Sequence, residues 1–453
     1  MLNSKIKQNI KNYIPLIIFI LGITFYHFTI NPNTYLWGDY TFFNEISKNM
    51  SLFEFLSLRY KTWTSRLLIE ASLYFIAMLP RLSFIIFHII VVGLLAFILL
   101  KLLNDDNSYL LNTVIVALLF LFNIQSMVSA GWIPTLTNYM YPLLFFILSL
   151  FPIKNYLLGN KYPNWHCVFY SLYLIIACNN EQIGVCLFVI YLFLLIYMII
   201  KKDIDKKIYI FISLIILSLL FIITCPGNHY RVINESKTHY QEFENFNIIQ
   251  KILNSAGTIL YFLLGNTSSI FVNKLLIIFL LFTAIYICFI YKNIFVKISS
   301  FIPFIIIFIL TFSFGSGIFD SIFNLFTIES IKYNVTNLNI KSFYMFLCFI
   351  VFVLLILYNL ILIFIKEYKK KFSLILPLVF CVGFLSIIVI GFSPTSFASN
   401  TRTFIFFQFA NIICITNLFM KINKYNKKLG LILICLLIIL SVISFTIELL
   451  FLV

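Results

Sequence analysis

The chain has 453 residues, 62% of them hydrophobic and only 11% charged, with 32 basic against 16 acidic side chains for a formal net charge of +16. An average soluble domain carries roughly 25% charged residues, and no soluble fold of this length can hide so much apolar surface, so the composition excludes a water-soluble globular enzyme. The positive excess sits as lysines beside apolar runs, which speaks for the flanks of membrane spans and against a nucleic-acid partner.

Taken in chain order, Lys5, Lys7 and Lys11 precede a first apolar run from Tyr13 to Ile30. The NPNTYLWGD that follows offers no small-x-small cleavage site, so the run reads as an uncleaved anchor. Leu82 to Leu100, Ile208 to Ile223, Leu275 to Ile290, Phe343 to Ile365 and Leu429 to Ile447 each supply roughly the 17–25 apolar residues that a bilayer core requires. A helix satisfies its own backbone polar groups in lipid, so these are spanning helices.

Alternating the spans from a cytoplasmic N-terminus separates two sets of loops. One set (KIKQNIK, KLLNDDN, KNYLLGNKYPNW, KKDIDKK, KNIFVK, KEYKKK and KINKYNKK) holds 20 basic and 5 acidic residues, and the other holds 12 and 11. The first set is therefore cytoplasmic. This alternation requires that Leu67 to Leu79, which ends at Pro80, and Ile252 to Leu264 lie at the outer interface without spanning; both are short and carry polar residues such as Glu70 or Asn254. The expected fold is all-α, a polytopic transmembrane helical bundle of about 13 spans, forming one integral membrane domain over residues 1–453. The longer outer segments are Asn31 to Arg81, Cys225 to Asn273 and about Phe319 to Lys341. The nine cysteines show no CxxC pair and read as reduced core residues, neither disulfides nor a metal set.

All five arginines, Arg59, Arg66, Arg81, Arg231 and Arg402, fall in the outer set, although the chain holds 27 lysines. Arginine's planar fork takes carboxylate or phosphate bidentately, which lysine cannot do, so the outer face reads as an anion-recognising surface.

The motifs follow the same face. WGDYTFF after the first span sets Asp39 between Trp37 and Tyr40 at the membrane edge, where a carboxylate can take a proton from a sugar hydroxyl and the aromatics can pack on the ring; the alternative is an interfacial aromatic belt with a solvated acid. In YKTWTSRLLIEASLYF, Arg66 and Glu70 are spaced i, i+4, and a ligand-binding Arg66 competes with a structural salt bridge. GWIPTLTNYMYP places Asn138 and Tyr139 at the end of a span, suited to a hydroxyl-rich ligand or to helix capping. ACNNEQIG holds Glu181 in a short turn at membrane depth. TCPGNHYR reads as a tight turn at Pro226, Gly227 and Asn228 that presents backbone amides, followed by Arg231, a combination suited to phosphate. GFSPTSFASNTRTFIFF brings Arg402 in behind Ser393, Ser396, Ser399, Asn400 and Thr401, and a charge at that depth needs a phosphate or a carboxylate such as Glu181. Asp320, Glu329 and His229 are further loop residues, and His88 is a single imidazole on an apolar span. No HExxH, GxSxG, Walker A or Rossmann glycine pattern occurs, which argues against peptidase, hydrolase and nucleotide-driven chemistry.

Together these residues resemble the GT-C superfamily of membrane glycosyltransferases, which use polyprenyl-phosphate-linked sugars. The likeness is closest to an uncharacterised bacterial multi-pass family marked by an acid after span one (Asp39), W..R (Trp63 and Arg66), NY (Asn138 and Tyr139), a short acidic turn (Glu181), PGN..R (Pro226 to Arg231) and a late SP…R (Ser393, Pro394 and Arg402). The resemblance implies a GT-C-like bundle with interfacial helices in the first outer loop, in the bacterial cytoplasmic (inner) membrane. It also implies an outer-face glycosyltransferase that moves a sugar from polyprenyl phosphate to a glycan or lipid acceptor; no cofactor is expected, and arginines can stabilise the leaving phosphate without a metal. Asp39 would be the base, Glu181 would assist, and Arg66, Asn138, Tyr139, Asn228, Arg231 and Arg402 would bind substrate. Many relatives carry a paired acid after span one, whereas here Tyr40 follows Asp39; if two carboxylates are needed, Glu181 is the second. An O-antigen-type polymerase or ligase and a lipid or solute transporter stand as alternatives. The first typically has a larger outer loop than any here, and the second calls for repeats and midplane charges.

Overall fold

The computed structural model describes residues 2–30, 38–123, 127, 131–265, 269–313, 323–368 and 373–452. Trp37, Asp320 and the lysines at 369–371 lie outside the described residues. Every regular element among the described residues is a helix, and eleven helices are long and apolar enough to cross a membrane. Two segments that the charge alternation carried across, 109–120 and 166–177, form helices of 12 residues. At ~1.5 Å per residue such a helix is roughly 18 Å long, against the roughly 30 Å of a bilayer core.

By internal contact the chain divides into two compact units. The first comprises Met1–Val116, Ile124–Asn234 and Ser444–Val453. It opens with α1 (Leu2–Thr29), continues through three short helices, α2 (Tyr40–Asn49), α3 (Leu52–Thr62) and α4 (Leu67–Ala77), and then α5 (Arg81–Leu103) and α6 (Tyr109–Phe120). There follow α7 (Trp132–Ser149), α8 (Phe151–Leu158), α9 (His166–Ala177), α10 (Glu181–Lys201), α11 (Lys207–Thr224) and the first nine residues of α12 (Pro226–His239). Helix α7 is the hub: 14 of its 18 residues are buried, and it packs against α4, α5, α9 and α10. A capping box starts α3, in which the Ser51 amide donates to the Glu54 carboxylate at 3.0 Å and the Glu54 amide donates to Ser51 Oγ at 3.4 Å.

The second unit comprises Ala117–Asn123 and Glu235–Ile443. Its helix α13 (Ile248–Leu264) spans the stretch expected to lie at an interface, yet residues 253–260 and 262–264 are all buried. Its polar residues are met by neighbouring chain: Asn254 Nδ2 donates to the Gly391 carbonyl at 2.9 Å, and Ser255 Oγ to the Ile388 carbonyl at 2.8 Å. A Cβ on Gly391 would sit 2.0 Å from Ser255 Oγ and 2.3 Å from its Cα, so only glycine allows this approach. The same economy holds at Asn359, which donates to Thr283 Oγ1 and to the Ser300 carbonyl, both at 2.9 Å.

Candidate functional site

Seven of the eight expected site residues lie in the first unit, five of them, Arg66, Asn138, Tyr139, Glu181 and Arg231, close together, and the organising feature is the three-residue turn between α9 and α10. Asn179 Oδ1 accepts from the amides of Leu68 and Ile69 at 3.0 and 3.4 Å, so it caps α4, a helix distant in sequence whose own N-cap, Arg66, makes no capping bond. Asn180 caps its own helix, accepting from Gln182 and Ile183, and its Nδ2 donates to the Asn138 carbonyl on α7 at 3.1 Å. Glu181, the first residue of α10, then turns its carboxylate to two arginines.

Arg66 Nε donates to Glu181 Oε2 at 2.7 Å and Arg66 Nη2 approaches the same oxygen at 2.5 Å. Arg231 Nη2 donates to the other oxygen, Oε1, at 3.3 Å. Arg66 Nη1 donates to Asn138 Oδ1 at 3.3 Å, while Asn138 Nδ2 is held by the Pro134 carbonyl at 2.8 Å. Tyr139 is buried next to Asn138. Burial by itself would lower the Arg66 pKa, but the Glu181 carboxylate overrides it and raises it, so the guanidinium stays charged. The side chains are 20%, 20% and 26% exposed for Arg66, Glu181 and Arg231, so the cluster is not sealed from its surroundings.

The PGN segment is not a free turn: Pro226 opens α12, with proline at the first helical position. It is pressed onto the end of α3. A Cβ on Gly227 would lie 2.5 Å from the Tyr60 carbonyl oxygen and 2.6 Å from the Trp63 nitrogen. Asn228 then ties down the chain ahead of Arg66, accepting from the Ser65 amide at 3.2 Å and donating to Ser65 Oγ at 2.9 Å and to the Ile222 carbonyl at 2.8 Å. Asn228 therefore acts on the site by positioning Arg66, and its side chain is fully engaged within the protein.

Glu70 does not pair with Arg66. Arg66 stands outside the helix at its N-cap, with ψ of 45°, so the i, i+4 geometry does not apply. The partner of Glu70 is Arg59, through Nε to Oε2 at 2.9 Å and Nη2 to Oε1 at 3.1 Å. The Arg59 guanidinium also faces the rings of Phe42, Phe43 and Trp63 at 5.2–5.7 Å.

Asp39 stands apart from this cluster. It is exposed at the N-cap of α2, and its side chain makes no hydrogen bond or ion pair with the described residues. Its neighbour Tyr40 donates to the Ala77 carbonyl, at the end of α4 opposite Arg66, and those 11 residues of helix measure roughly 16 Å. Arg402 belongs to the second unit, half-buried in a short 3₁₀ turn, Asn400–Phe404. The hydroxyls ahead of it bond largely among themselves: Ser393 Oγ with Thr395 Oγ1 at 2.8 Å, and Ser399 Oγ to Thr395 Oγ1 at 3.2 Å. Among the described residues no three His, Cys, Asp or Glu side chains gather as a metal ion would require.

Asn179 and Asn180 were passed over in the sequence, although an asparagine directly before a long apolar run is a legible N-cap signal. Comparison with family models, with curated proteins and with solved structures finds no match for this chain.

Proposed function

We propose that this multi-pass membrane protein is a glycosyltransferase of the outer face of a bacterial cytoplasmic membrane, with its N-terminus in the cytoplasm. It takes a sugar from a polyprenyl-phosphate donor and delivers it to a glycan or lipid acceptor. The observation that carries the reading is the pair of guanidiniums, Arg66 and Arg231, sharing one carboxylate at the N-terminal ends of two helices, α4 and α10. Arginine forks beside helix N-termini suit a phosphate. A lipid phosphate is a good leaving group that needs charge stabilisation more than protonation, and two arginines supply it. Asp39 is the proposed base, since its carboxylate makes no ion pair with the described residues, and Glu181 orients the arginines.

Binding of a defined polyprenyl-phosphate donor and single-turnover sugar transfer by the purified chain test this. Arg66→Lys and Arg231→Lys keep the charge but lose the fork, and each weakens donor binding by about 1.5–3 kcal/mol. Asp39→Asn leaves donor binding intact and slows transfer by roughly 10²–10⁴. Donor affinity unchanged in both lysine variants would assign the arginines to structure, and full transfer by the Asn variant would remove Asp39 from the chemistry.

A further inference from the structure

We propose that the Glu181 carboxylate is a tethered stand-in for the anionic ligand, occupying the arginine cluster when it is empty and exchanged out by a phosphate oxyanion on binding. The inference rests on the reading of Arg66 and Arg231 as phosphate ligands and adds how the site is held before the ligand arrives.

Three observations carry it. The first is the geometry of the pair. A guanidinium and a carboxylate in their best arrangement put each N–H on a separate oxygen, as Arg59 and Glu70 do. At Arg66 both nitrogens converge on the single oxygen Oε2, because Oε1 is turned to Arg231 at 3.3 Å. The Arg66 fork is thus not matched oxygen for oxygen. A tetrahedral phosphate presents more oxygens than a carboxylate.

The second is freedom to leave. The backbone under Glu181 is fixed by Asn180, wholly buried and bonded to the amides of Gln182 and Ile183 and to the Asn138 carbonyl. The side chain is a fifth exposed, so its carboxylate can turn away while the helix stays in place. Glu181 is also the first residue of α10, where the positive end of the helix stabilises a displaced carboxylate.

The third is compensation. Arg66 and Arg231 are about four-fifths and three-quarters buried, and unpaired guanidiniums there would be costly. The carboxylate meets that need in the empty site, and the phosphate meets it in the filled one. Two opposing effects follow for Glu181→Gln: the arginines lose an organiser, and the incoming anion loses a competitor of its own sign. Like charges a few ångströms apart in a partly buried site repel strongly, so the second effect dominates.

The test is calorimetric binding of inorganic phosphate and of a short prenyl phosphate to the full chain in detergent. Glu181→Gln is expected to bind both at least ~10-fold tighter than wild type, and Arg66→Lys to bind both more weakly. Tightening confined to prenyl phosphate also supports the exchange and identifies the anion as lipid-borne. If wild type binds phosphate and Glu181→Gln binds equally or less tightly, the exchange is overturned while the phosphate site stands. No binding by either protein overturns the phosphate site and the exchange with it. Should Glu181→Gln fail to fold, Glu181→Asp decides: its shorter arm keeps the charge but withdraws it from the forks, so tighter phosphate binding supports the exchange and unchanged binding overturns it.

Discussion

Two arginine–glutamate assemblies share the stretch from residue 59 to residue 70, which runs from the end of α3 into α4, and they are built to different standards. Arg59 and Glu70 are 9% and 3% exposed, matched one to one, bidentate, and walled by Phe42, Phe43 and Trp63. Arg66 and Arg231 instead divide the two oxygens of Glu181, with both Arg66 nitrogens on a single oxygen, and the three side chains stand a fifth to a quarter exposed. The first assembly has every fork and oxygen answered from within and leaves nothing for a ligand. In the second the Arg66 fork is unevenly matched, and the surrounding polar side chains, Asn138, Asn179, Asn180 and Asn228, hold the pieces still. A salt bridge in a sequence motif is therefore uninformative until its geometry is known.

The comparison breaks most visibly at the closed pair. Glu70→Ala leaves a buried guanidinium uncompensated and is expected to cost about 3–5 kcal/mol of stability, read as loss of unfolding free energy in detergent. A loss below about 1 kcal/mol would place Arg59–Glu70 in the same class as the open cluster.

A smaller effect is expected where the two assemblies are joined. Gly227→Ala drives a methyl into the backbone of residues 59–63, and forcing α12 away should cost about 1–3 kcal/mol. Because α12 carries Arg231, phosphate binding should weaken in the same variant. Wild-type stability together with wild-type binding would show that the two helices do not need this approach.

The smallest change in stability belongs to the open cluster. Arg231→Gln leaves the Arg66–Glu181 contact in place and should alter unfolding free energy by less than about 1 kcal/mol, with even that difference shrinking as salt shortens the screening length from ~10 Å at 0.1 M to ~3 Å at 1 M. A large, salt-insensitive loss would mean that this cluster is as structural as its neighbour.

Hydropathy made the helical bundle and most of its long apolar helices legible, since no other arrangement satisfies backbone in runs such as 340–367. It marked α13 as a short helix with polar residues, but the partners of those residues were not legible: Asn254 and Ser255 are buried because carbonyls at 391 and 388, more than 130 residues later, accept their hydrogen bonds. At the site, residue types were more readable than partners. Arg66, Glu181 and Arg231 stood out as charges in polar turns, but local spacing pointed Arg66 to Glu70, and nothing in the letters tells that the backbone leaves the helix at residue 66. The PGN segment shows the same limit: proline and glycine signal a turn equally well when the proline starts a helix and the glycine admits a neighbour's backbone.

Sequence separation sets the order in which these assemblies can form. Arg59 lies 11 residues before Glu70, so at a synthesis rate of ~5–20 residues per second its partner follows within roughly 0.5–2 s. Arg66 lies 115 residues before Glu181, an interval of roughly 6–23 s at the same rate, and Arg231 comes 50 residues later still. For that period Arg66 waits at the end of α4 with its eventual counter-ion unmade, while α5 to α9 emerge around it. The closed pair can thus serve as an early anchor for α3 and α4, and the open cluster is completed only when α12 arrives.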